Sequence, residues 1–560
     1  MFEEEIIKLL KQAGVSATKE QLEVPPRRDF GDFSFPVFNL AKEQKKNPNE
    51  LAVYICEKIK IGGILKEIQT KGPYVNFFLN YEKISKKTLE RVTKEKEKFG
   101  SSNIGKRKKI LIEFSNPNTA HGLHIGHARA TMLGESLANI IKFCGYNVIK
   151  ANYYGDFGKQ MAKTIVAYLQ WGEGVTVDKK SDLWMWDLYK KFHDEVASKP
   201  ALEDEAKEVL QRLEEQDAKM IKIWKEIREM ALSGIKETYK RLGVSFDVEL
   251  FESEYYNLGK DIVQRALKKG IAKESQGAIV TNLEKYGLPD TVLIKADGTT
   301  VYQTRDLGLA VKNFKDFKLD GRIYVVDVRQ SLHFKQVFKI LELLEYKWAK
   351  NLYHLGFGFV NLPEGLMASR TGKVVPLDTF LDEMRALTYQ EVNQRNAELD
   401  QKKKLELAEK IGTGALIFAL LKIEPEQNII FKKEEVVQFE GDTGPYVQYA
   451  HTRAASILSK AGKWKRKFSF KEINESETKL IKKLSEFPDV VEHSAKDMRP
   501  HYVCNYAYDL ATIFNNFYQF NPVLKVDEEM KNFRLTLVEA TKQVLENSLR
   551  LIGIQIPEKM

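Results

Sequence analysis

The sequence predicts an α/β protein: a parallel sheet interrupted by a helical insertion, with a small α+β domain before it and an all-helical bundle after it. Three observations predict this. Ile110-Leu111-Ile112-Glu113-Phe114 is a short apolar run of the kind buried on both faces of a parallel sheet. A helical pattern follows from about 125 to 143, ended by Gly145, and YNVIKANYY supplies the next strand, completing a βαβ unit that opens a nucleotide-binding fold. Beyond about residue 405, strand signals nearly vanish. At 560 residues the chain is also too long for one core, so several domains are expected.

In chain order, residues 1–85 mix helical stretches with short strand-like runs, among them KGPYVNFFLN (71–80), entered through a Gly72-Pro73 turn. The lysine-rich EKISKKTLERVTKEKEKFG reads as a connecting helix ending at Gly100, and the linker covers 86–105. The sheet domain covers 106–405. Residues from about 172 to 245 are strongly helical and charged, the insertion between two halves of the sheet. Strand-like pieces return in TVLIKADGTTVYQT (291–304) and GRIYVVDV (321–328), where the sheet is expected to resume. The helical domain covers 406–560, and its last helix repeats Leu535, Val538, Leu545, Leu549 and Ile552 at helical spacing up to Gly553.

Hydrophobic content of 43% and charged content of 30% are those of an ordinary globular protein. No apolar run approaches the ~20 residues needed to span a bilayer. The start, MFEEEIIKLL, is acidic where a secretory signal would be basic, so a cytoplasmic protein without a membrane partner is expected. The three cysteines, Cys56, Cys144 and Cys504, lie far apart, which excludes a CxxC zinc ribbon and predicts no structural zinc. A net charge of +10 suits a polyanionic partner without demanding one.

The chemistry concentrates in SNPNTAHGLHIGHARATMLGESL (115–137). For a chain with nine histidines, chance predicts on the order of 0.01 HxGH patterns, yet His124 and His127 form one. The segment sits where a parallel sheet binds ligands, outside the carboxyl end of a strand. Gly122 and Gly126 let a ligand approach the backbone, and the helix N-terminus is expected to offer amide hydrogens to a polyphosphate. Both imidazoles can donate to phosphate oxygens as charge builds there. There is no GxxxxGK[ST], which disfavours a P-loop ATPase.

HIGH at 124–127, after a strand and before a helix, resembles the signature of class I aminoacyl-tRNA synthetases. The preceding EFSNPNTAHGL is similar to the segment before that motif in arginyl-tRNA synthetases. ANYYGDFGKQ (151–160), VYQTRDLGLA (301–310), EGDTGPYVQYAHTRAASIL (440–458) and CNYAYDLATIFNNFY (504–518) resemble the same family, as does the ending TKQVLENSLRLIGIQIPEKM. The resemblance implies a class I Rossmann-like catalytic domain, an N-terminal domain contacting tRNA and a C-terminal anticodon-binding bundle. It implies ligation of L-arginine to tRNA(Arg) through an arginyl-adenylate, with ATP and Mg²⁺; a monomer is expected. In the family, adenylate formation generally requires bound tRNA.

Residue by residue, the resemblance places His124, Gly126 and His127 at ATP, the two histidines being catalytic. Arginine's planar, five-donor cation calls for carboxylates. Asp306 matches the position facing the guanidinium, and Tyr302, four residues earlier, the pocket tyrosine that stacks on it. Glu252 is the expected second carboxylate, with Glu254 as an alternative. Glu113, Ser115 and Asn118 correspond to residues near the substrate's α-amino and carboxylate groups, and Gln330 to a further substrate position. The family's second signature, KMSKS, corresponds to Leu366-Met367-Ala368-Ser369-Arg370-Thr371-Gly372-Lys373. Met367 and Ser369 are expected at ATP. Neither motif lysine is retained, so Arg370 or Lys373 is left to supply the catalytic cation. Many relatives carry a lysine just before HIGH, where this chain has His121.

For tRNA, Tyr446, Gln448 and His451 offer stacking and hydrogen-bonding groups suited to unstacked bases, and KAGKWKRKFSFK (460–471) a basic, aromatic surface. Lys71, Tyr74 and Asn76 match a family segment associated with the tRNA elbow. The rival expectations are a class I synthetase for another amino acid, such as lysine, and an RNA-binding relative that has lost ligation.

Overall fold

The computed structural model describes residues 2–255, 258–363, 375–466, 473–558 and 560. The chain divides into two compact units, one of Met1–Gly100, Ala450–Val490 and Asp509–Asn547, the other of Ser101–Tyr449, Val491–Tyr508 and Ser548–Met560.

The second unit holds a five-stranded parallel sheet of β1 (Lys109–Glu113), β2 (Asn147–Tyr154), β3 (Val248–Phe251), β4 (Gly321–Asp327) and β5 (Leu352–Phe357), in the order 5-4-1-2-3. β1 is central: the chain leaves it toward β2 and β3 and later returns to its other side with β4 and β5. That reversal opens a crevice beyond the carboxyl ends of β1 and β4. Helix Ile125–Phe143 connects β1 to β2 with the bounds expected from the sequence. Its small and apolar residues run all the way round, so almost all of them are buried. At Gly134 a Cβ would lie 2.1 Å from Cγ of Phe114, so the helix packs directly on the residue that follows β1.

The insertion consists of helices Ser181–Val196, Ala201–Glu214 and Ala218–Leu242. With Lys159–Trp171 they bury Ile165, Phe192, Leu213 and Ile227 in a core of their own. After the insertion the main sheet resumes at β3 and continues at β4, but not at 291–304. Val292–Ile294 instead joins a separate antiparallel sheet with Ala272–Ser275 and Ala278–Thr281. A helix, Tyr302–Phe317, already begins within the stretch expected to be strand. The β-branched and aromatic residues of TTVYQT suggested a strand; the helical spacing of buried Thr304, Leu307, Gly308 and Phe314 prevails.

In the first unit, Tyr74–Leu79 pairs antiparallel with Phe33–Pro36 on one side and Leu65–Lys71 on the other. Gly72, at φ +59°, makes the turn between the last two strands. The final helix, Glu528–Leu551, buries Leu535, Val538, Leu545 and Leu549 completely, and the chain turns out at Gly553 with φ +78°. Among the described residues no helix is long and apolar enough to cross a membrane.

Candidate active site

The two motif histidines close the start of helix Ile125–Phe143 on themselves. His124 is its N-cap, and Nδ1 of His124 accepts the amide hydrogen of Gly126 at 3.1 Å. Nδ1 of His127 in turn accepts the amide hydrogen of His124 at 3.2 Å. This is a capping box built from imidazoles. The amides of His124, Gly126 and His127 are therefore bonded within the motif, the last to the His124 carbonyl at 2.9 Å. The expectation that this helix start offers them to a phosphate is corrected. The donors are instead the rings: with Nδ1 accepting, each neutral imidazole carries its proton on Nε2. Gly126 serves this arrangement, since a Cβ there would stand 2.9 Å from Cε1 of His124.

The ring centroids of His124 and His127 are 3.9 Å apart. Burial lowers His124 to about 4, helped by His121, and pushes His127 well below its ordinary value, helped by His124 and His121. Both rings are neutral Nε2–H donors near pH 7.

Carboxylates gather around Tyr153 at the carboxyl edge of the sheet. Glu113 ends β1 and Glu252 immediately follows β3. Asp306 lies on helix Tyr302–Phe317. Burial raises Tyr153, on β2, and the Glu252, Asp306 and Glu113 carboxylates around it raise it further. Each carboxylate has a partner. Glu113 is 4% exposed and pairs with the fully buried Arg322 of β4, with a further bond from Asn116 at 3.2 Å. Glu252 pairs with Arg305, whose guanidinium lies 4.5 Å from the Tyr302 ring centroid. Asp306 meets Nε2 of His333 at 2.5 Å. Burial raises both Glu113 and Glu252 above the ordinary carboxylate value, against the opposing pull of Arg322 and Arg305.

Tyr302 and Glu252 thus face the chain's own Arg305. Tyr302 opens the helix and is largely exposed; Gln330 is exposed just past β4. Asn118 accepts the Ala120 amide at 2.8 Å and packs its side chain against Gly155. The Ser115 side chain is engaged within the protein. Its hydroxyl is buried and bonded at 2.7 Å to both Thr131 and Tyr239, because a φ of +75° turns it inward under the helix. Sequence reasoning missed Arg305, Arg322 and His333. The signal for Arg322 was available, as a lone arginine in the apolar run GRIYVVDV.

The stretch carrying Met367, Ser369, Arg370 and Lys373 lies outside the described residues, but both its flanks are fixed. After it, Leu377 donates to the Leu123 carbonyl at 2.8 Å, and Pro376 bridges to His124. Asp378 then meets Lys180 at 2.7 Å, and Lys180 also reaches Asp182 at 3.0 Å. Before it, fully buried Arg129 collects four carbonyls, Gly358 at 3.0 Å, Phe359 at 3.3 Å, Glu424 at 3.2 Å and Pro425 at 2.9 Å.

Three expected RNA contacts are corrected by burial. Gln448 is fully buried, its amide donating to the Lys410 and Gln555 carbonyls. His451 is only 5% exposed, near Glu546 at 3.7 Å. Asn76 sits in the middle strand, accepting from Ser34 at 2.7 Å. Lys71 is exposed, with Nζ 3.7 Å from the Phe30 ring centroid. Tyr74 is half-buried against Phe38, and Tyr446 half-buried against Tyr508.

Comparison with known proteins agrees along the whole chain. Residues 88–432 match the family of tRNA synthetases class I (R), catalytic domain; residues 1–79 match the arginyl tRNA synthetase N terminal domain and 447–560 the DALR anticodon binding domain. The arginine–tRNA ligase of Clostridium acetobutylicum is 40% identical over 98% of this chain and 97% of its own. That of Halothermothrix orenii is 37% identical over the full length of both. The Thermus thermophilus arginyl-tRNA synthetase structure superposes with a TM-score of 0.84 at 28% identity, covering 100% of this chain and 99% of that one. The Plasmodium falciparum arginyl-tRNA synthetase structure shares the fold, with a TM-score of 0.81 at 21% identity. A sheet reversing at β1, two capped imidazoles at that reversal and matches from end to end lead to one assignment: the chain belongs to the class I arginyl-tRNA synthetase family.

Proposed function

We propose that this protein joins L-arginine to tRNA(Arg). A carboxylate oxygen of arginine attacks the α-phosphorus of ATP, the bond to pyrophosphate breaks, and arginyl-adenylate forms. A ribose hydroxyl of the terminal adenosine of tRNA then attacks the acyl carbon, and AMP leaves. The observation that carries this reading is the pair of neutral Nε2–H imidazoles after β1, on a sheet whose carboxyl edge gathers Glu113, Glu252 and Asp306 around Tyr153.

His124 and His127 act as fixed hydrogen-bond donors to the phosphate oxygens on which charge develops, not as acid and base. Positioning of the two substrates supplies much of the remaining acceleration. Glu252 already holds a guanidinium, that of Arg305, whereas Asp306 meets only the His333 imidazole and is the more exposed of the two, so we assign the substrate guanidinium to Asp306, with Tyr302 four residues before it on the same helix. Asn118 and Gln330 are placed near the rest of the amino acid, Gly126 at ATP. The places of Met367, Ser369, Arg370 and Lys373 follow from the family resemblance. Among the described residues no three His, Cys, Asp or Glu side chains group to hold a metal, so Mg²⁺ is assigned to the ATP phosphates and water. Lys71, Tyr74 and Tyr446 keep enough exposure to meet tRNA. The protein acts as a cytoplasmic monomer in this reading.

Arginine-dependent ATP–pyrophosphate exchange, with and without tRNA(Arg), tests the proposal. Exchange that needs tRNA and that lysine neither supports nor competes for is the expected result. Its absence with tRNA binding intact would favour the RNA-binding relative.

A further inference from the structure

A third imidazole stands with the motif pair. The His121 ring centroid is 6.3 Å from that of His124 and 6.0 Å from that of His127. Its hydrogen bonding is the opposite of theirs. Nδ1 of His121 lies 3.2 Å from the Gly122 carbonyl oxygen, which can only accept, so this Nδ1 carries the hydrogen. In the neutral ring Nε2 is then a lone pair, an acceptor that a phosphate oxygen cannot satisfy. One more proton converts it into a donor with a full positive charge and leaves the Gly122 bond intact.

The same proton could not go to either neighbour so easily. Protonating Nδ1 of His124 or His127 would break the bond it accepts from Gly126 or His124, and with it the helix cap.

The surroundings hold His121 neutral until an anion arrives. From its own segment and the following helix it faces only the neutral His124 and His127. From helix Ser181–Val196 it faces Trp186 at 5.8 Å and Tyr189 at 6.5 Å. On that helix Lys190 lies 4.6 Å over the Trp186 ring, and Asp182, beside Gly122, is paired with Lys180. Among the described residues no carboxylate pairs with His121. Burial keeps the ring below its ordinary value.

We propose that His121 is a third nucleotide-binding imidazole, which takes up one proton as the ATP polyphosphate binds and then donates from Nε2 to it. This rests on the ligase reading above, which makes ATP the ligand. Binding is then linked to pH. Between the ring's values in the free and bound protein, the Kd for Mg·ATP rises toward about tenfold per pH unit.

The test is calorimetric titration of the full-length protein with Mg·ATP at pH 7.5, without arginine or tRNA, in buffers of different ionisation enthalpy. Uptake approaching one proton is expected. His121→Lys, charged throughout, should bind Mg·ATP without uptake and with a flat pH profile, whereas His121→Phe should lose both uptake and affinity. Binding without uptake, or uptake that survives in His121→Phe, overturns this inference and leaves the ligase reading standing. No Mg·ATP binding, together with no exchange in the arginine assay, overturns both.

Discussion

His124 does two jobs that substitution can separate. Its Nδ1 caps the helix through the Gly126 amide, and its Nε2–H faces the nucleotide in our reading. Asparagine is a good N-cap and can accept the Gly126 hydrogen, but it carries no donor where Nε2 stands. Alanine can do neither. Losing an N-cap costs about 1 kcal/mol, within a range of roughly 0.5–2. Losing one preorganised donor to a developing oxyanion lowers turnover about 10²–10³-fold. His124→Asn should therefore keep close to wild-type resistance to urea while tRNA-dependent exchange drops by about two to three orders of magnitude. His124→Ala should show the same kinetic loss and a lower denaturation midpoint as well. The assay pair is exchange kinetics at saturating arginine with urea unfolding followed by circular dichroism. Wild-type turnover in His124→Asn would refute the donor role. An Ala variant as stable as the Asn variant would refute the cap.

Other outcomes follow from the same site. Asp306→Asn removes a charged acceptor for the guanidinium, about 1.5–3 kcal/mol, so kcat/KM for arginine should fall roughly 10–100-fold in steady-state aminoacylation. Burial lowers His124 to about 4 in the folded chain, so the unfolded chain binds more protons between the ordinary value near 6.5 and 4. Its contribution is complete above about pH 6.5 and is lost as pH falls through 4, on the order of 3 kcal/mol from this ring, which acid titration of stability in wild type and His124→Asn should separate. Arg322→Met leaves Glu113 buried without its partner and should destabilise the sheet unit by about 3–5 kcal/mol, measured by urea unfolding; removing both charges in Glu113→Leu/Arg322→Met should recover much of that.

What could be read in the sequence was set by how local the cause is. Helix Ile125–Phe143 was legible to its end because its start, its apolar run and Gly145 are all within one short stretch. The insertion and the last helix were legible for the same reason. The direction a polar side chain takes was not. Ser115, Asn76 and Gln448 have the chemistry of contact residues, and each turns into the interior to meet a partner: Thr131 and Tyr239, Ser34, and two carbonyls. Those partners are up to 124 residues away, as for Ser115 and Tyr239, and no pattern in the motif announces them. The pairing of Glu113 with Arg322 spans 209 residues and depends on β4 lying next to β1. Tyr302 and Glu252 were expected at a ligand guanidinium; the chain's own Arg305 is what they face, because one turn of helix carries it there.

Arg129 gathers the carbonyls of Gly358 and Phe359 from two residues beyond His127, while Leu123, just ahead of the same helix, receives Leu377. The chain thus leaves and rejoins a single rigid rod at either side of the 364–374 stretch. Lengthening a segment whose ends are already clamped adds only closure entropy, about 0.6 kcal/mol for each doubling. Insertions or exchanges between those clamps are therefore expected to leave the imidazoles in their places. An engineer can exchange the sequence between the two clamps as a cassette and leave the helix that carries them untouched.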